Sequence, residues 1–247
     1  MMRRLCVAVA LLGPGCQVLL PEPGSNALAL ASAGNELSVA ASTAANPQES
    51  VSDLAQAAGC LERGDEAGAC HFLAKHIADH PNHVSLRAQY AELLMQLKRL
   101  PEARDEFERF AAVAQERGEK MLPLLVHAHS RLVELAEGRE DDYQIHLQRG
   151  LGLYWLARRS TAESQNGELP AEGLYFKAAA DLIRAHNLEP EQARPCWYLH
   201  LIWRDLARQQ QAQRWLRDTR ELAADSYLTP GEQRRLHLAC QTLDDRR

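Results

Sequence analysis

The stretch YAELLMQLKRLPEARDEFERF, residues 90–110, contains two apolar helical stripes separated by a short break. On both sides of the break, apolar side chains recur three and four residues apart, which is the spacing of an amphipathic α-helix. The break itself, LKRLP at 97–101, has the length of a tight turn. This stretch therefore predicts two helices joined by a turn.

The composition of the whole chain agrees with a helical fold. The 247 residues are 46% hydrophobic, which is enough for one or two domains with a sizeable core. Ala, Leu, Glu, Arg and Gln dominate, whereas clusters of β-branched and aromatic residues are scarce. The net charge is -5 and basic residues alternate with acidic ones, so nucleic acid is not an expected partner.

The helix-turn-helix pattern recurs along the chain at a fixed offset of 34 residues. Small residues stand where two helices are expected to cross, because they let the backbones approach closely, and a large residue nearby fills the adjacent gap. The pairs 34 residues apart are Ala57 and Ala91, Ala69 and Ala103, Leu73 and Phe107, Ala178 and Ala212, and Leu182 and Leu216.

This pattern resembles the motif of the tetratricopeptide repeat family. In that motif the first helix carries a large, a small and a large residue, and the second carries Ala, an aromatic and Ala, with Pro after it. Phe110 stands where the family more often has a small residue. The matching residues are Tyr90, Ala91 and Leu94 in the first helix, and Ala103 and Phe107 in the second.

Other stretches match the motif less completely, and the resemblance spans residues 50–225. Residues 118–138 break the 34-residue register and are interpreted as an extra or divergent helix, and 229–243 as a capping helix. The further matches are Ala57, Gly64, Ala69, Leu73 and Pro81; Leu151, Gly152 and Trp155 with Ala178, Leu182, Ala185 and Pro190; and Leu199, Trp203, Ala212 and Leu216.

The sequence therefore predicts an all-α fold. It is expected to be a right-handed helical-repeat solenoid of TPR-like antiparallel helix pairs with a C-terminal capping helix. The repeat domain is expected to cover residues 50–247, with an insertion near 159–170. An irregular helical bundle that shows the 34-residue offset by chance is the alternative.

The first 33 residues have the layout of an export signal. Two arginines precede an apolar run at 5–12, and A-x-A sites follow at 27–29 and 31–33. Gly and Pro at 13–15 interrupt the run well before the length of a membrane span. Residues 34–49 are small and polar, as in a flexible linker. The expected location is periplasmic or otherwise extracytoplasmic; a lipid anchor at Cys16, and a cytoplasmic leader, are the alternatives.

The family resemblance implies a concave face, lined by the first helix of each unit, that binds an extended peptide or a partner helix. Placing the chain on the motif puts Arg149 and Leu153 on this face in one unit, and Arg194, Trp197 and Arg204 in another. Because Trp and Arg often anchor partners, these five residues are the predicted partner-binding residues. Packing of the tryptophan against the capping helices is the alternative.

No motif predicts catalysis or a cofactor, since GxSxG, Walker-type and GxGxxG patterns do not occur. His76, His80 and His83 have helix-like spacing, but Pro81 ends the helix between them and no carboxylate or thiolate completes a metal site. Surface histidines near a helix end, and no metal, are therefore expected.

Two other pairs have structural interpretations. Asp141 and Asp142 are expected to open a helix, where carboxylates complement the positive N-terminus, rather than to share a proton in catalysis. Cys60 and Cys70 are close enough in sequence for a bridge across one hairpin, but small buried residues at helix interfaces are the simpler interpretation.

The predicted function is a non-enzymatic scaffold that binds a protein or peptide on the concave face, with membrane attachment possible only through the N-terminal segment. The alternative is a helical domain with a ligand-binding or catalytic role near the insertion at 159–170.

Export by a cleaved signal predicts a mature chain that begins after residue 29 or 33. Intact-mass measurement on protein purified from its native membrane or medium is expected to show this shortened chain. A lipid mass on Cys16 would identify the anchored alternative, and an uncleaved chain would contradict cleavage.

Overall fold

The computed structural model describes residues 47–163 and 171–244, which contain ten α-helices, a short 3-10 helix at Glu119–Met121 and no β-strand. The helices are α1 (Pro47–Glu62), α2 (Glu66–Asp79), α3 (Val84–Gln96), α4 (Leu100–Ala114), α5 (Leu122–Glu137), α6 (Asp142–Glu163), α7 (Ala171–Leu188), α8 (Ala193–Asp205), α9 (Gln209–Leu222) and α10 (Pro230–Asp244).

Every helix packs against the next one along the chain. Contacts also join α3 to α5 and α6 to α8, each pair being separated by one helix in the sequence. A helix that is apolar on one face can bury that face only against such neighbours, and this gives a stacked arrangement. The structure thus confirms the predicted all-α helical-repeat solenoid.

Four of the turns between helices have the same backbone geometry. In each, one residue adopts a left-handed conformation, and the next N–H reaches back five residues to a helix carbonyl, as from Asp65 to Cys60 at 2.8 Å. Such a turn satisfies carbonyls that the helix end leaves without partners. Gly64 and Lys98 are 34 positions apart, so this turn geometry recurs at the same offset as the residue pattern of the sequence. The turn residues are Gly64 (φ 72°), Lys98 (φ 61°), Glu140 (φ 56°) and Ala207 (φ 57°).

The segment 118–138, interpreted from the sequence as an extra or divergent element, contains a helix that pairs with the helix after it. Helix α5 is the first helix of a hairpin with α6, and the turn at Glu140 belongs to the shared type. Lys98 and Glu140 are 42 residues apart. The additional residues lie in α5 and in the link 115–121, which contains the 3-10 helix and is longer than the link between α2 and α3.

The residues predicted to pack at helix crossings are buried. Ala91, Ala103 and Phe107 are each 0% exposed. Ala103 belongs to the apolar cluster of the first two hairpins, whereas Ala91 and Phe107 belong to a larger cluster that reaches Leu236 in α10. The second hairpin, formed by α3 and α4, therefore connects both parts of the core.

The C-terminal helix does more than cap the last hairpin. Helix α10 packs on α9, as expected, but also contacts α4. Gln115, just after α4, accepts a hydrogen bond from Arg235 at 2.8 Å, and Glu116 pairs with Arg234 at 2.7 Å. The chain thus closes on itself across more than a hundred residues.

Several predictions of domain organisation concern segments outside the described residues. These are the export signal at 1–33, residues 34–46 of the linker and residues 164–170 of the insertion. Helix α1 begins at Pro47, three residues before the expected domain start, and residues 159–163 continue α6. None of the described helices is long and apolar enough to cross a bilayer.

Cys60 and Cys70 are free thiols that lie in the core of the first hairpin, 4% and 2% exposed. Each sulfur accepts a hydrogen bond of 3.5 Å from an arginine, Cys60 from Arg63 and Cys70 from Arg99. This placement agrees with small buried residues at a helix interface.

Close packing between α6 and α7 makes Gly150 sensitive to substitution. A Cβ at this position would lie 2.7 Å from Cγ of Leu182 and 3.2 Å from the carbonyl oxygen of Ala178. Gly150→Ala is expected to lower the free energy of unfolding by about 1–3 kcal/mol, the usual cost of overpacking. Chemical denaturation followed by circular dichroism measures this change in the free energy of unfolding.

Gly173→Ala is the matched control, because a Cβ at this helical position meets nothing within 4 Å. Removing glycine from a helix is expected to leave stability unchanged or raise it by up to about 1 kcal/mol. Equal stabilities of the two variants would contradict close packing at Gly150.

Candidate functional site

A polar groove, called here the central groove, lies between α4, the end of α5, α6 and the turns beside α8. It consists of two adjoining chambers of about 210 and 220 Å³. The first is also lined by Arg104, Leu132, Ala136 and Arg139, and the second by Tyr143, Leu147, Glu189, Gln192, Arg194 and Tyr227; both share Glu108, Asp141, Gln144 and Gln148.

Beside the groove, a chain of two hydrogen bonds links α5 to α6 and continues along α6. Nδ1 of His129 lies 2.8 Å from Oε1 of Gln148, and Nε2 of Gln148 donates to Oε1 of Gln144 at 3.1 Å. Because Gln148 accepts through oxygen, the histidine carries its proton on Nδ1. His129 is 2% exposed, and its burial lowers its pKa to about 4, so the imidazole is neutral near pH 7.

Asp141 forms the rim of the groove where α6 begins. Its Oδ1 accepts a hydrogen bond of 3.1 Å from the backbone N–H of Gln144, which is the geometry of a helix N-cap. The helix-start role predicted for Asp141 is therefore confirmed.

The groove holds carboxylates that are weakly neutralised. Glu108 has Arg104 as its nearest cation, at 3.8 Å, and that arginine is engaged by Asp105 at 2.9 Å. Partial desolvation in the groove raises the pKa of Glu108, although the side chain is 47% exposed and Arg104, Arg194 and Arg139 act in the opposite direction. In the described part of the chain, no ion pair joins Glu189 to a cation. A cationic group entering the groove would therefore find acceptors that the protein itself does not satisfy.

A buried ion pair closes one end of the groove. Nε of Arg194 on α8 donates to Oε1 of Glu232 on α10 at 3.1 Å, and Glu232 is 0% exposed. Burial alone would raise the pKa of Glu232, but the charge of Arg194 and the hydrogen bonds from Thr229 and Tyr198 hold it below its ordinary value. The pair is therefore ionised and fixes α10 against α8.

The hydroxyl of Tyr198 extends this pair toward α4. It lies 2.9 Å from Oε1 of Glu232 and 2.9 Å from Oε1 of Gln115. Since a phenol has one proton, it donates to one of these oxygens at a time. Burial raises the pKa of Tyr198 well above its ordinary value, so the phenol stays protonated.

The five predicted partner-binding residues are not gathered on one open face. Leu153 and Trp197 are 8% and 1% exposed, and Arg194 is held by Glu232 at the end of the groove. Arg149 is half-buried and points to Glu137 of α5, at 3.4 Å, while Arg204 is exposed and pairs with Asp205. Binding by these residues stays a prediction, but Leu153 and Trp197 offer a partner almost no surface.

The groove residues of α6 lie on a different side of the helix from the predicted ones. The groove meets Gln144, Leu147 and Gln148, whereas Arg149 turns toward α5. The missed groove residues are Glu108, Gln144, Gln148, Glu189 and Gln192. A sequence signal existed for two of them, because Gln144 and Gln148 place amides four residues apart and therefore on one side of α6.

One pair of side chains has the composition of a nucleophilic dyad but not its chemistry. Sγ of Cys196 lies 3.5 Å from Nδ1 of His186. The thiol is 0% exposed, and burial raises its pKa to about 12. Cys196 therefore remains a protonated, inaccessible thiol near pH 7.

Comparison with known proteins assigns the chain to no family. No family model matches the chain, and no curated protein matches it. Two chains of solved structures match, one of them described as the crystal structure of MamA protein. That chain is 14% identical, with a TM-score of 0.33, and the match covers 73% of this chain and 98% of the other. A TM-score this low supports no inference about arrangement or function.

The buried His129 predicts a specific pH dependence of stability. Its pKa is about 4 in the folded protein against 6.5 in the unfolded chain, so the unfolded state binds more protons. The stabilising effect of this histidine is complete above pH 6.5 and is lost as the pH falls toward about 4. The free energy of unfolding of the wild type is expected to drop, between neutral pH and about pH 5, by about 2 kcal/mol more than that of His129→Asn.

The asparagine variant serves as the matched control, because it keeps a hydrogen-bond donor near the position of Nδ1 and does not titrate. Urea denaturation of both proteins at the two pH values isolates the histidine from the carboxylates that they share. Parallel pH profiles would show that His129 is not held neutral by the fold.

Proposed function

We propose that the protein is a non-enzymatic interaction protein that binds an extended, basic segment of a partner protein in the central groove. The observation that carries the proposal is the pair of carboxylates, Glu108 and Glu189, in the second chamber. Glu108 makes one long ion pair, with Arg104 at 3.8 Å, and among the described residues no ion pair joins Glu189 to a cation. A Lys or Arg side chain supplies the missing charge.

The remaining lining suits a polypeptide rather than an apolar ligand. Glutamine amides each offer both donors and acceptors, which is what an extended backbone requires. Gln192 lies beside Glu189 in the second chamber, and Tyr227 stands at its rim, 67% exposed. Tyr is one of the residue types that are enriched at protein–protein interfaces.

The assignment to tetratricopeptide-like repeats and the location are parts of this proposal. The 34-residue offset and the repeated left-handed turn at Gly64 and Lys98 support the family assignment. The N-terminal layout of arginines, apolar run and A-x-A sites supports export. Arg204 and Arg149 are retained as candidate contacts outside the groove, since both have accessible surface.

The alternative of a ligand-binding or catalytic site near 159–170 has no observation in its favour. Its central residues, 164–170, lie outside the described chain, and residues 159–163 continue α6. The alternative stays a prediction.

A peptide-display selection against the full chain tests the proposal. Recovered peptides are expected to be extended and to carry Lys or Arg, because these residues complement Glu108 and Glu189. Binding of a synthesised peptide, followed by fluorescence anisotropy, is expected to weaken by about tenfold or more in Glu108→Lys and Glu189→Lys, as each replaces an attraction by a repulsion.

Glu221→Lys provides the matched control, since it makes the same charge change at an exposed position of α9 away from the groove lining. It is expected to bind like the wild type. Peptides that lack basic residues, or binding that all three variants weaken equally, would overturn the assignment of the groove.

A further inference from the structure

Helix α7 exposes a row of apolar side chains that the proposed function does not use. Phe176 and Ile183 are 43% and 37% exposed, and Ala180 between them is exposed as well. Because these residues are four and three positions apart, they lie on one side of the helix. Neither Phe176 nor Ile183 belongs to the two apolar clusters that form the core. This row, called here the α7 strip, is therefore apolar surface that packing within the described chain leaves in contact with water.

The α7 strip continues onto α8 through an aromatic contact. The ring of Trp203, which is half-buried, lies edge-on to the ring of Phe176 with 6.2 Å between the centroids. Leu238 on α10 is more exposed, at 61%, but its exposed neighbours one turn away, Arg234 and Thr242, are polar. Single exposed apolar residues are ordinary, whereas a contiguous group marks an interaction surface. The α7 strip is of the second kind.

The four residues at the centre of the strip form a hole of the kind found in helix–helix packing. Such a hole is bounded by positions i, i+3, i+4 and i+7 of one helix, and it receives one large side chain of a facing helix. In α7 these positions hold Phe176, Ala179, Ala180 and Ile183. The two large residues stand at the ends and the two alanines lie between them. A Leu, Met or Phe side chain of a second helix therefore fits above the alanines.

Two cations follow the strip on the side of α7 that faces α6. Lys177 and Arg184 are both exposed and are seven residues apart, as Phe176 and Ile183 are. Within the described ranges, no ion pair joins Lys177 to a carboxylate. Nη1 of Arg184 lies 3.8 Å from Oδ1 of Asp181, and that oxygen is already 2.9 Å from Nδ1 of His146 on α6. The positive charge along this edge is thus weakly neutralised.

The opposite edge of the strip, toward α8, has no such excess of positive charge. Glu172 lies four residues before Phe176 on this edge and is exposed. Arg204 of α8 is paired with Asp205 at 2.9 Å. A facing helix is therefore attracted when its acidic residues lie over the α6 side of the strip, which fixes how that helix is rotated about its axis.

We infer that the α7 strip binds an amphipathic helix of a partner protein, which places a large apolar side chain over Ala180 and Asp or Glu side chains beside Lys177 and Arg184. Burial of the apolar side chains supplies the affinity, and the charges select the partner and its orientation. No residue of the strip lines the central groove. The two surfaces are separate, and they prefer partners of opposite charge.

Selection of a displayed library of amphipathic helical peptides on the full chain tests this inference. Recovered peptides are expected to carry a large apolar residue and an edge of Asp or Glu. Fluorescence anisotropy of one synthesised peptide is expected to show binding weakened by about tenfold or more in Ile183→Ser, because an apolar contact is lost. The double variant Lys177→Glu, Arg184→Glu is expected to bind this peptide weakly and to prefer its counterpart with Lys at the acidic positions.

Leu238→Ser is the matched control, since it removes an exposed apolar side chain outside the strip. It and Glu108→Lys in the central groove are expected to bind the helical peptide like the wild type, so a failure of this inference is distinguishable from a failure of the proposed function. Circular dichroism checks that all variants fold.

The wild-type chain and Ile183→Ser are expected to sediment alike, because the inferred occupant is a different protein. A wild-type dimer that Ile183→Ser dissociates would show that a second copy of the chain covers the strip, and would overturn the inference. Recovery of no helical peptide, peptides without an acidic edge, or equal weakening by Leu238→Ser would also overturn it.

Discussion

The buried ion pair between Arg194 and Glu232 is the interaction on which the closed end of the central groove depends. Moving each charge out of water costs several kcal/mol, and the mutual attraction offsets this cost only when further hydrogen bonds complete the site. Here Glu232 accepts from Arg194, from the backbone N–H of Thr229 at 2.8 Å and, in alternation with Gln115, from Tyr198. The pair specifies where α10 lies against α8, and it holds the side chain of Arg194 in place beside the second chamber.

Hydrogen bonds in the turn before α10 hold Glu232 in the position from which it pairs with Arg194. The hydroxyl of Thr229 accepts from the N–H of Glu232 at 3.2 Å, and the Glu232 carboxylate accepts from the N–H of Thr229, which is a reciprocal capping box. One carboxylate therefore both starts a helix and anchors it to α8. Formation of the first turn of α10 is therefore coupled to the packing of α10 against α8.

The elements and their crossing points could be predicted from the sequence, whereas the orientation of the inner helices could not. The predicted break is a turn, although it covers only residues 97–99 because α4 begins at Leu100. Ala91, Ala103 and Phe107 are fully buried, because helix crossings need small residues at fixed intervals. Which side of α6 and of α8 faces a neighbouring helix, and which side faces the groove, could not be predicted in this way. Helix α6 packs against both α5 and α7, and α8 is buried over most of its length, so neither has the single apolar stripe that defines an inside. The burial of His76 and its ring contact with His83 were not predicted, because Pro81 was taken to separate residues that its turn brings together.

The contact between α4 and α10 also bears on the order in which the molecule is made. Gln115 and Arg235 are 120 residues apart, and a nascent chain emerges from its N-terminus. The first hairpins can stack through contacts between neighbours as soon as they are synthesised, but Arg194 at the groove gains its partner Glu232 only after α10 has been made. Until then the surface of α4 that receives α10 is open to water. A partner that requires Arg194 to be held in this way consequently binds only chains in which α10 has been synthesised and has packed against α8.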